Sequence, residues 1–223
     1  MNKKTVEIEK AIKTGWQVFK ENPGLLIGIV LIQLIAPYLF DLPAMAIANV
    51  FETSIIAFVI GLVLNLLALS IDIIIAIGVI NIALGLAKNR DMSFKDLFVE
   101  FRMILNFIRA SILFALAVLV GLILLIIPGV IIAIALGSYP YFIIDENKGP
   151  MEALKASYAL TLGAKWQLFV FGMLQGLIVI AGLLALLVGY FVALPITMVA
   201  SAAVYLQLKT QMNPQETEVV APQ

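Results

Sequence analysis

Six apolar runs, at about 23–41, 54–87, 105–127, 129–144, 167–188 and 190–208, leave this chain few ways to fold. A helix needs about 20 apolar residues to cross a hydrocarbon layer of about 30 Å, and in that layer a helix satisfies its own backbone hydrogen bonds. Most of the runs fit one crossing each. The second is too long for one upright crossing and too short for two, since 34 residues of helix reach about 51 Å. It reads as one crossing with a tilted or protruding extension from Ser54. A cleaved leader ending near Ala44-Met45-Ala46 is the other reading of the first run. The long, helix-patterned polar segment ahead of that run argues for a retained crossing.

Charge decides the topology. Lys3, Lys4, Lys10, Lys13 and Lys20 precede the first run; Lys88, Arg90, Lys95, Arg102 and Arg109 follow the second. Lys148, Lys155 and Lys165 follow the fourth, and Lys209 follows the sixth. Six crossings put all 14 basic residues on one side, and an odd number would scatter them. The positive-inside rule makes that side cytoplasmic, so a cytoplasmic (inner) membrane protein with both termini inside is expected. Composition agrees: 63% of residues are hydrophobic and 13% charged, with mean hydropathy +1.10, where soluble domains carry about a quarter charged residues.

Pro128-Gly129 and Gly189 fall between adjacent runs and read as hairpin turns. Pro37 and Pro195 lie inside runs and read as kinks. The segments AIKTGW (11–16), DLFVEF (96–101) and ALKASY (153–158) precede runs one, three and five and align with one another. Ile12, Leu97 and Leu154 coincide, as do Trp16, Phe101 and Tyr158. Their apolar positions recur at helical spacing: Ile8, Ala11, Ile12, Gly15, Trp16, Phe19; then Phe94, Leu97, Phe98, Phe101; then Met151, Leu154, Tyr158, Leu162. The expected fold is therefore all-α: six transmembrane helices as three hairpins, each preceded by an amphipathic interfacial helix, an internal threefold repeat. Residues 1–22 form the first interfacial helix. Residues 23–209 form the membrane domain, with further interfacial helices near 92–104 and 150–163. Residues 210–223 form a disordered cytoplasmic tail.

The stretch 128–169 contains Pro128-Gly129, Pro140, Asp145-Glu146 and the segment GPMEALKAS at 149–157; AIKTGWQVFKENPG opens the chain at 11–24. In these motifs the chain resembles the glycerophosphoryl diester phosphodiesterase membrane domain family and related families of polytopic membrane proteins. The resemblance implies a six-helix membrane domain with interfacial helices. It implies no activity, because the catalytic domain fused to some relatives has no counterpart here.

Chemistry is sparsely represented. The chain has no histidine and no cysteine, which removes thiol chemistry, Ser-His-Asp catalysis and the usual zinc sites. No phosphate-binding glycine motif occurs, and zero net charge gives no sign of nucleic acid. No cofactor, metal or enzymatic role is expected. Asp72 is the sharpest candidate, an ionisable residue deep in an apolar run. It costs about 2.5–3.5 kcal/mol at a helix centre, which the surrounding Leu, Ile and Val outweigh. Intramembrane carboxylates are often functional; the alternative is a structural hydrogen bond to Asn65, Gln33 or Gln175 across helices. Trp16, Phe98, Phe101, Tyr158 and Trp166 read as interfacial anchors. Pairs such as Gly24/Gly28, Ala117/Gly121, Ala133/Gly137 and Gly172/Gly176 read as close helix contacts. Asp145-Glu146-Asn147 reads as a helix end reaching water rather than a cation site.

The function expected is non-catalytic: membrane organisation, lipid interaction or support of a partner in the envelope. The alternative is a small transporter, channel or lipid-translocating protein using Asp72. Membrane lipid is the expected partner, with a second copy or another membrane protein also compatible.

Overall fold

A computed structural model describes residues 4–50, 55–185 and 188–212. These residues form ten α-helices and one 3-10 turn, with no strand among the described residues. The helices are α1 (Ile8–Glu21), α2 (Pro23–Ile35), α3 (Tyr38–Val50), α4 (Ile55–Ala87), α5 (Phe101–Leu124), α6 (Ile126–Leu136), α7 (Tyr139–Glu146), α8 (Pro150–Thr161), α9 (Lys165–Leu184) and α10 (Val188–Met212). Five stretches have the length and apolar character of membrane spans: α4, α5, α6 with α7, α9 and α10. A sixth arises if α1 and α2, bent by 98°, count as one. Residues 1–3 and 213–223 lie outside the described residues; of the predicted tail at 210–223, residues 210–212 instead continue α10.

Run two is one helix of 33 residues, α4, about 50 Å long. Run one is not one helix. It divides at Ala36-Pro37 into α2 and α3, because proline lacks the N–H that would continue the ladder and crowds the preceding turn. Run four likewise divides after Gly137.

The turn between α5 and α6 falls at Leu125, whose backbone is extended, three residues before Pro128. Pro128 sits in the first turn of α6, where its missing N–H would have had no helical partner. Gly129 serves packing: a Cβ on Gly121 would lie 2.9 Å from the Gly129 Cα. The pair Gly182 and Gly189 repeats this between α9 and α10, with a Cβ on Gly182 falling 2.6 Å from the Gly189 carbonyl oxygen. Gly189 is thus inside the first turn of α10 rather than at the bend. Gly24, Gly172 and Gly176 have open space where a Cβ would go, so no close contact is made at these three among the described residues, whereas Gly28 lies against the Phe94 ring.

The segment near 92–104 is not an interfacial helix. It is a single 3-10 turn, Phe94–Leu97, followed by extended backbone at Phe98. Asn81 on α4 explains the stop: its side-chain amide donates to the Asp96 carbonyl at 2.9 Å, taking an acceptor a longer helix would use. The Leu97 backbone then packs directly on Gly78. At 150–163 a helix does form, α8, but its buried face is Ala153, Leu154, Ser157, Leu160 and Thr161, while Met151 and Tyr158 are exposed. The rotation follows from hydrogen bonding. Ser157 and Thr161 hydroxyls both donate to the Ala135 carbonyl at 3.1 Å, one of the last carbonyls of α6, which lack helical partners.

The core centres on the second half of α10. Val199, Ala200, Ala202, Val204, Tyr205 and Leu208 are buried there, against α1, α9 and the end of α4. Small residues let α1 approach: Gly15 lies against the Ile196 backbone, next to Pro195, which lies inside the continuous helix α10. Polar anchors hold the start of the described chain to α10 and its neighbours. The Glu7 N–H donates to Gln207 at 2.9 Å, the Thr5 N–H to Gln211 at 2.8 Å, and the Val6 N–H to Gln167 at 2.7 Å. Away from this centre, the first half of α4, the second half of α5 and much of α9 expose their apolar side chains. That is the surface distribution a hydrocarbon solvent permits and water does not.

Candidate functional site

The densest polar cluster forms where α4, α7 and α10 end together. The α7–α8 corner is shaped by its sequence. Asn147 takes the left-handed conformation, φ 49°, that terminates α7. Pro150 then occupies the first turn of α8, and Glu152 accepts the Gly149 N–H at 3.3 Å. This corner presents Asp145 inward, with its side chain only 6% exposed. Lys88, just past α4, pairs with one carboxylate oxygen. Lys209 and the Tyr205 hydroxyl donate to the other at 2.8 and 3.0 Å. Glu146 holds Lys209 at 2.7 Å and Lys148 at 2.6 Å.

One carboxylate therefore ties three helices. A carboxylate withdrawn from water needs such a full set of partners, and Asp145 has them. Beside it lies a cavity of about 90 Å³ lined by Asn81, Gly85, Lys88, Arg90, Met92 and Asp145. Among the described residues no group of three acidic, histidine or cysteine side chains is placed to hold a metal ion. The cluster's chemistry is that of a fastening.

Two further concavities stand out. One, of about 420 Å³, lies between α1 and α10 and includes Glu7, Lys10, Thr14, Gln207 and Gln211. The other is an apolar groove of about 410 Å³ between α6 and the start of α9, lined by Ile126, Ile127, Val130, Ile131, Ile134 and Phe169 with Lys165 and Trp166. Lys165 is the single charged residue lining it, and its ammonium sits 4.9 Å above the Tyr158 ring. Trp166 stacks on Phe169 at 5.4 Å and is 73% exposed. Elsewhere, Lys4 donates to the Ala159 and Leu160 carbonyls at 2.9 and 2.8 Å, and its partial burial lowers its pKa from the ordinary lysine value.

The structure does not bring Asp72, Asn65, Gln33 and Gln175 together. Asn65 donates to the Gly61 carbonyl of its own helix at 2.8 Å. Gln175 donates to the Thr197 carbonyl and the Ser201 hydroxyl of α10 at 2.8 and 2.7 Å, as cross-helix glue. Gln33 on α2 is half-buried. Asp72 is exposed on α4, and none of the three concavities above is lined by it. Trp16, Phe98, Phe101, Tyr158 and Trp166 are all exposed. The sequence reading of Asp145-Glu146-Asn147 as a helix end reaching water does not hold for Asp145, whose carboxylate is buried in ion pairs to Lys88 and Lys209. The signal for the pairing was an acidic pair closing run four, with Lys88 closing run two and Lys209 closing run six.

Compared with protein-family models, curated proteins and solved structures, the chain matches none of them.

Proposed function

We propose that this chain is a non-catalytic, lipid-interacting protein of the cytoplasmic membrane, with six crossings in three hairpins and both termini in the cytoplasm. The observation that carries the lipid reading is the groove between α6 and α9. Its walls are isoleucine, valine and phenylalanine, suited to an acyl chain, and its one charge is the cation of Lys165. A lysine beside an exposed tryptophan suits an anionic headgroup at the membrane–water boundary. The occupant is therefore an anionic phospholipid of the leaflet on the basic side. The segregation of all 14 basic residues supports the orientation, and the motifs at 128–169 support kinship with the membrane-domain family they resemble.

The chain has two tryptophans, so Trp16→Phe leaves Trp166 as the sole reporter beside the groove. In bilayers containing brominated phosphatidylglycerol, Trp166 quenching should exceed that in brominated phosphatidylcholine at the same mole fraction. Lys165→Ala should remove the difference. Val130→Phe with Ile131→Phe should fill the groove and lower quenching in both lipids. Equal quenching by the two lipids, unchanged in the filled variant, would refute the reading. The transport alternative places Asp72 in a substrate path, and Asp72→Asn would then abolish flux without unfolding the protein.

A further inference from the structure

The membrane reading leaves one feature of α4 unexplained. Phe58, Leu62, Asn65, Leu69 and Asp72 follow one another at spacings of four, three, four and three residues, and all five are exposed. That is the spacing of a helix–helix seam in a left-handed coiled pair. The neighbouring face of α4 is occupied: Ala57 and Ala68 are buried and Gly61, Leu64 and Ile71 half-buried on the side where α3 packs. The seam lies beside it and faces outward.

Apolar residues exposed to lipid need no partner. Asn65 and Asp72 do where a tilted α4 holds both within the layer, because polar groups in hydrocarbon are costly unless satisfied. The Asn65 amide nitrogen reaches only its own helix backbone, which leaves its carbonyl to accept. Asp72 has no hydrogen-bond partner among the described residues.

We propose that α4 pairs in parallel with α4 of a second copy of this chain along Phe58, Leu62, Asn65, Leu69 and Asp72. Copies in one membrane share one orientation, because the basic residues select it. Parallel packing about a two-fold axis sets each residue against its own counterpart. Asn65 then meets Asn65 of the other copy, and a carboxamide is both donor and acceptor, so the pair is self-complementary. Asp72 meets Asp72 two turns away, where the two carboxyls share a proton. The self-match of both polar groups at one seven-residue spacing is what favours a second copy over a different protein. Buried asparagine at such positions sets register and partner number in helix pairs.

The absence of cysteine allows a direct test. Single variants Phe58→Cys, Leu62→Cys and Leu69→Cys, oxidised in native membranes, should form disulfide-linked dimers. Val63→Cys and Leu67→Cys, on the opposite side of α4, should not. In the Leu62→Cys background, Asn65→Leu with Asp72→Leu should lower the cross-linked fraction at least tenfold, with an unchanged melting temperature showing the monomer intact. Asn65→Gln should retain most of it. Dimers at 63 and 67 as abundant as at 62 and 69 would overturn the proposal, as would dimers only from cysteines at Gly172 and Gly176 on α9. Rapid labelling of the Leu69→Cys variant by a membrane-impermeant maleimide would also overturn it, assigning this face to a water path.

Discussion

Asp145 joins three distant parts of the structure through one carboxylate. It is acceptor to Lys88, Lys209 and Tyr205, which come from two other helices. Replacing it by asparagine removes the charge but leaves two partly buried ammonium groups facing one another. Breaking a buried ion pair this way costs about 3–5 kcal/mol. Asp145→Asn should therefore lower the unfolding temperature in detergent strongly, and adding Lys209→Met should recover part of the loss in a double-mutant cycle. Glycines give a second contrast. A Cβ on Gly78 would fall 2.7 Å from the Leu97 carbonyl carbon, in backbone that cannot yield. Gly78→Ala should cost at least about 1–3 kcal/mol. Gly172→Ala meets nothing and should be neutral or gain up to about 1 kcal/mol from helix propensity. Thermal shifts of the two variants, measured side by side, check both.

At the scale of elements, hydropathy was the legible part. An apolar run averages over some 20 residues, so α4, α5, α9 and α10 could be placed within a few residues of their ends. What sets a boundary or a face was not legible, because it comes from another part of the chain. The aligned segments at 11–16, 96–101 and 153–158 show this. The first lies in α1, the second straddles a 3-10 turn and the start of α5, and the third lies in α8 with its face set by α6. Sequence periodicity could not report Asn81 holding Asp96 or Ala135 holding two hydroxyls. Nor could it report the Asp145 cluster, whose partners lie 57 and 64 residues away. Gln175 shows the energetic scale of such links in a membrane setting. Gln175→Leu removes both of its bonds to α10, and cross-helix hydrogen bonds in membranes average about 0.6 kcal/mol. The variant should stay folded and lose about 1 kcal/mol in unfolding assays.

For the whole molecule, the division is between a packed centre and a lipid-compatible periphery. The centre is built around the second half of α10, and α1 covers one side of it. Deleting residues 4–21 would bare α10 around Ile196 and Ala203 and remove the anchors to Gln207 and Gln211. The deletion should leave the apolar helices inserted but make α10 accessible to protease, with most of the intact protein lost within one limited digestion. Full protection of α10 in that variant would mean that α1 contributes little to the centre.

The contact between α1 and α10 also imposes an order of events in the cell. α1 packs on α10, and the other eight described α-helices lie between them in the chain. At about 5–20 residues per second, α1 leaves the ribosome roughly ten seconds or more before its docking surface exists. Throughout that interval Ala11, Val18 and Phe19, buried in the finished protein, lack α10, the helix with which α1 makes its main contact. The bilayer surface is the available shelter for an apolar stripe flanked by lysines. The lysine-flanked apolar stripe of α1 suits two surroundings in turn, a bilayer surface before α10 exists and the α10 face afterwards.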